Sequence, residues 1–121
     1  MDKIAFYTFK QFHNRKDVGS SRIRAEWLIN HWPDAEEYKY GQKYKAIIFQ
    51  KVYFTPLAQN FDGVKILDLC DPDWVELLPV IEMASLCDAV TTSSVPLAKI
   101  IKQYLPEKIV KCIPDRIDFD V

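Results

Sequence analysis

Glycine is scarce in this chain, with three among 121 residues, and none of them builds a G-x-G-x-x-G dinucleotide fingerprint or a P-loop. Histidine is scarcer still. His13 and His31 are the only two, and neither is spaced as a metal pair with the other or with a cysteine. The cysteines, Cys70, Cys87 and Cys112, are odd in number and far apart. Buried free thiols in a reducing cytoplasm account for them better than a disulfide framework. Neither charge sign dominates, and a net charge of −1 gives no field for nucleic acid or acidic membrane. No apolar run approaches the roughly 18 residues of a membrane span. Met1-Asp-Lys-Ile-Ala-Phe6 lacks the charged-then-apolar order of a signal peptide. No nucleophile elbow or zinc spacing occurs. The expectation is a cytoplasmic protein with no metal, no cofactor, no nucleic-acid partner and no membrane span.

What is present is a globular composition, 49% hydrophobic and 13% aromatic, of a length that suits one domain over residues 1–121. There is no repeat, no low-complexity stretch and no linker. Lys3 to Phe9 is apolar on both faces, as a strand inside a parallel sheet is. Gln11 to Val18 is polar and reads as an exposed loop. Gly19-Ser20-Ser21 opens a helix in which Ala25, Leu28, Ile29 and Trp32 share one face, and Pro33 ends it. Glu36 to Tyr40 reads as a short edge strand and Ala46 to Phe49 as a buried one. Pro56 starts a short helix, and Val64 to Leu69 is the next strand after the Asp62-Gly63 turn. Trp74, Leu77, Leu78 and Ile81 form a second helical stripe, with Pro79 in the first turn of the helix. Ala89 to Thr92 is a strand, and Ser94 is placed to cap the helix that follows. Leu97, Ile100, Ile101 and Tyr104 make its stripe, and Ile109 to Ile113 closes the sheet. Alternating strands and helices with short connections predict an α/β fold, since parallel strands need crossovers. The expected domain is a three-layer, Rossmann-like one with a mostly parallel sheet of five or six strands, centred on Lys3 to Phe9.

Ligands of such sheets bind at the carboxyl ends of the strands. Gly19, Ser20, Ser21 and Arg22 stand at a helix start where phosphate binds readily, with Arg22 or Arg24 adding charge; the same residues also serve as an ordinary cap. Asp68, Asp71 and Asp73, as closely spaced carboxylates, offer a metal site, acid–base chemistry or capping for the segment from Trp74. Asp68, among apolar neighbours, also fits a buried, hydrogen-bonded role, and Asp71 is the candidate reacting group because it lies just past the strand. His13, Ser93, Ser94, Asp115 and Arg116 complete the expected ligand rim. His31, late on an amphipathic helix, reads as a surface residue.

Five segments taken in order, Gly19-Ser-Ser-Arg-Ile-Arg-Ala25, Ala46-Ile-Ile-Phe-Gln-Lys51, Lys65-Ile-Leu-Asp-Leu-Cys-Asp-Pro-Asp73, Asp88-Ala-Val-Thr-Thr-Ser-Ser94 and Ile113-Pro-Asp-Arg-Ile-Asp118, resemble the N-terminal domain of GT-B glycosyltransferases of the family-4-like group. Each motif is short and loose, and it is their succession that carries the resemblance. In that family two Rossmann-like domains face each other across a cleft. The first mainly holds the acceptor and the second the nucleotide sugar. The resemblance implies that Gly19-Ser20-Ser21 approaches the donor diphosphate and that Asp71 lies near the catalytic or sugar-contacting position. It makes Ser93 and Ser94 the small polar pair before the next helix. Asp115 to Asp118 then leads into the second domain. Two departures stand out: one glycine in the first loop where members often have two, and Asp115-Arg116 in place of Asn-Gly. The sequence ends at Val121, where the second domain would begin, so the expectation is an acceptor-side half that is inactive alone. It would meet nucleotide sugar and acceptor only together with a C-terminal donor domain, as a truncated or split enzyme, with a partner domain or a homo-oligomer possible. The alternative is a stand-alone Rossmann-like binding or interaction module without catalysis. A flavodoxin-like phospho-acceptor domain is disfavoured, because the first loop lacks an acidic pair.

Overall fold

The computed structural model describes residues 3–14, 24–25, 27–69 and 77–113. Six strands, β1 (Ile4–Thr8), β2 (Ala35–Glu37), β3 (Ala46–Gln50), β4 (Val64–Leu69), β5 (Ala89–Thr92) and β6 (Ile109–Cys112), form one sheet in the order β2-β1-β3-β4-β5-β6. Every neighbouring pair is parallel. The helices are α1 (Phe9–Phe12), α2 (Trp27–His31), α3 (Thr55–Asn60), α4 (Leu77–Leu86) and α5 (Val95–Tyr104). The expected α/β, parallel architecture is therefore present. Its centre is not: β1 lies second from one edge, and β3 and β4 hold the middle.

The order explains the layering. From β1 the chain steps outward to β2, and from β3 onward it steps the other way to β6. Right-handed crossovers then put the two sets of helices on opposite faces. Ala5, Ile47, Phe49, Leu67, Leu69 and Val90 point to one face, where Ala58 of α3, Val80, Met83 and Ala84 of α4, and Leu97 and Ile101 of α5 complete the larger core. Phe6, with Ile4 and Ile48, points to the other face and meets Ala25, Leu28, Ile29 and Ala35. Of the expected stripe on α4, Trp74, Leu77 and Leu78 lie outside the described side chains, and Ile81 packs partly buried against the core beside Val80, Met83, Ala84 and, just past the helix, Cys87. The expected face of α5 is rotated. On α5, Leu97 is 3% and Ile101 0% exposed, whereas Ile100 and Tyr104 are 37% and 54% exposed.

Local chemistry sets the ends. Pro56 and Pro96 stand in the first turns of α3 and α5, where a missing N–H costs nothing. The Ser94 side chain accepts from the Leu97 N–H, as an N-cap does. Phe9 leaves the strand: the Thr8 hydroxyl accepts from the Gln11 N–H and starts α1, so part of the expected loop from Gln11 is a helical turn. The edge strand β2 begins one residue earlier than expected and is shorter, though the Tyr38 N–H still donates to the Phe6 carbonyl at 3.0 Å.

Candidate functional site

Because all six strands run the same way, Thr8, Gln50, Leu69, Thr92 and Cys112 end at one edge of the sheet. Just before that edge the register aligns Thr8 with Gln50, Gln50 with Asp68, Asp68 with Thr91, and Thr91 with Lys111. One polar row therefore crosses five strands on the smaller-core face. The row two residues earlier on that face is apolar: Phe6, Ile48, Ile66, Ala89 and Ile109. Buried polar groups in such a place need partners, and each of the central ones has one. The Thr8 hydroxyl caps α1. Gln50 Oε1 accepts from the Phe9 N–H at 3.0 Å, joining the end of β1 to β3 where the strand order reverses. Asp68 Oδ1 accepts from the Thr91 hydroxyl at 2.6 Å.

The centre of the row is an ion pair. Arg24, just before α2, donates Nε–H to Asp68 Oδ2 at 3.0 Å and Nη2–H to Oδ1 at 2.5 Å. The two side chains are 6% and 7% exposed. Arg24 Nη1–H also donates to the Ile113 carbonyl at 2.5 Å, beyond the end of β6. This corrects one expectation. Arg24 is not a charge offered to a ligand at the helix start; its guanidinium is committed to Asp68 and to the backbone. It also selects the buried, hydrogen-bonded role for Asp68. Three backbone bonds bind the loops above the row: Lys51 N–H to the Asp68 carbonyl at 2.9 Å, Ser93 N–H to the Leu69 carbonyl at 3.0 Å and Ile113 N–H to the Thr92 carbonyl at 2.7 Å.

Between β1 and β3 lies the topological switch point, where open α/β sheets take their ligands. Aromatic rings border it. Phe12 and Phe54, 38% and 37% exposed, meet at 5.6 Å between ring centroids. His13, an expected rim residue, sits in the turn after α1 with its ring 4.2 Å from Phe9 and 5.1 Å edge-on to Phe12. Lys51, at a left-handed φ of 55°, places its ammonium 5.0 Å from the Phe9 ring. Comparison with protein families, with curated proteins and with solved structures finds no match to this chain.

Of the remaining expected residues, Ser93 and Ser94 stand at the same edge after β5, with Ser94 serving as helix cap. Gly19, Ser20, Ser21, Arg22, Asp71, Asp115 and Arg116 lie outside the described residues, as does Cys70. Among the described residues no three ligating side chains gather as a metal site, and no helix is long and apolar enough to cross a membrane. Cys87 is buried, and that burial pushes its thiol up to about 12. The row itself went unseen in the sequence because Gln50, Asp68 and Thr91 look unrelated until the register lines them up. The signal in the sequence was the polar residues near the ends of otherwise apolar strands.

Proposed function

We propose that this chain is the acceptor-side half of a sugar transferase, working on a nucleotide-sugar donor held by a second Rossmann-like domain. The observation that carries the reading is the polar row. The five segments that resemble the glycosyltransferase domain are far apart in sequence, yet Arg24, Gln50 and Lys51, Asp68, Thr91 and Ile113 each belong to a different one of them. All are tied into one bonded network at the carboxyl edge. In sequence, members of the row stand next to the segments to which the resemblance assigns the chemistry: Gly19 to Arg22 for the donor diphosphate, Asp71 for catalysis, and His13, Ser93, Ser94, Asp115 and Arg116 for the rim. The open rings of Phe12 and Phe54 add an apolar surface on which the face of a sugar ring can rest.

The alternative, a Rossmann-like binding module without catalysis, draws on one fact. Thr8, Gln50 and Asp68 all hold backbone or side chains, so none of them is available as a reacting group.

In the proposed architecture neither half brings the reacting atoms into line alone. The purified 121-residue chain is expected to release no nucleoside diphosphate from a panel of nucleotide sugars and acceptors, and to bind a diphosphate at roughly millimolar strength. Adding a separately expressed donor domain is expected to start turnover. Robust multiple turnover by the 121 residues alone would overturn the two-domain requirement. No turnover with any donor domain, alongside tight binding of another ligand, would favour the binding module.

A further inference from the structure

We infer that Arg24 is a positioning residue that couples the start of α2 to the place where the chain leaves β6. The argument begins with its three donors. Two hold Asp68 in a bidentate pair, which fixes the plane of the guanidinium. The third then points in one direction only, and it meets the Ile113 carbonyl. The Asp68 carboxylate is also held by the Thr91 hydroxyl of β5, and its backbone carbonyl by the Lys51 N–H just past β3. A carboxylate held from several sides orients an arginine, and the arginine holds the carbonyl of a residue 89 positions away in sequence. The Ile113 N–H is bound separately to Thr92, so that residue is gripped on both sides.

The consequence is specific to arginine. Lysine supplies a point charge with no planar fork, so it can keep Asp68 paired without reaching Ile113 in a set direction. The functional meaning rests on the sugar-transferase reading: the segment before Arg24 is the one assigned to the donor diphosphate, and the segment after Ile113 leads toward the donor domain. Arg24 and Ile113 thus link the residues at which those two segments join the sheet.

Amide hydrogen exchange on the purified chain, read by nuclear magnetic resonance, tests the coupling. In Arg24→Lys the Ile113 amide is expected to exchange about tenfold faster, while the Phe49 and Leu67 amides in the central strands stay within about threefold of the parent. In the double variant Arg24→Met with Asp68→Leu, which removes both charges while keeping the space filled, the central amides are expected to keep their protection and Ile113 to remain fast. If Arg24→Lys does not fold, the double variant carries the test. Parent-like protection of Ile113 in the double variant would overturn the proposal, since the pair would then only fill space. Equal loss at Phe49, Leu67 and Ile113 in both variants would overturn it too, since the effect would be global. No substrate enters the measurement. Coupling together with no turnover alongside any donor domain would sink only the transferase reading, and turnover with a donor domain alongside an indifferent Ile113 would sink only the coupling.

Discussion

At the scale of single residues, the charge of Asp68 matters because of where it is. Removing one member of a buried ion pair leaves the other charge without compensation, which costs about 3–5 kcal/mol. Asp68→Asn is therefore expected to lower the denaturation free energy by about that much, measured by urea unfolding. A loss below about 1 kcal/mol would mean that water, not Arg24, carries the carboxylate. Tyr44 offers a second test at this scale. Burial, and then its hydroxyl's bond to Glu36 Oε2 at 2.8 Å, push its phenol up to about 12. The folded value lies above the ordinary value of 10.0, so its contribution is complete below pH 10 and fades as pH rises toward 12. In an ultraviolet titration of the phenols, Tyr44→Phe is expected to remove one of the last groups to ionise. Loss of a group that titrates near pH 10 would contradict the burial.

At the scale of elements, α5 separates capping from packing. Ser94→Ala loses one cap bond and is expected to cost about 1 kcal/mol. Ile101→Ala empties a fully buried site and is expected to cost about 2–5 kcal/mol, while Ile100→Ala, on the outer side, stays within about 0.5 kcal/mol. Thermal unfolding of the three variants ranks them, and a large loss from Ile100→Ala would mean that the helix turns Ile100, not Ile101, toward the sheet. The same helix shows what periodicity can and cannot tell. The spacing of Leu97, Ile100, Ile101 and Tyr104 marks a helix with an apolar side. It does not say which edge of that side meets the sheet, because Val95, Leu97, Ile100, Ile101, Tyr104 and Leu105 allow two overlapping stripes. The contact with β5 and β6 selects Leu97, Ile101 and Leu105.

At the scale of the whole molecule, the surface at the switch point has its own test. If an acceptor sugar rests on Phe12 and Phe54, saturation-transfer nuclear magnetic resonance on the chain is expected to show aromatic-to-sugar transfer. Phe54→Ala is expected to weaken binding by about fivefold, the equivalent of one aromatic contact. An unchanged signal in Phe54→Ala would move the acceptor elsewhere. That surface exists only because β1 and β3 are neighbours and their following loops meet. The strands, their parallel pairing and the cap at Ser94 were legible from local pattern, since burial on both faces and helix starts depend on residues within a turn or two of each other. The place of β1 near one edge was not, because strand order depends on which way each crossover steps. The aligned polar residues were not legible either. Thr8, Gln50, Asp68 and Thr91 come from four separate strands, and only pairing in register makes them one row. Asp68 alone could be suspected of being buried. That its partner is Arg24, and that the same guanidinium holds Ile113, follows from where Arg24 sits in the folded chain, a relation between residues up to 89 positions apart that no local spacing encodes.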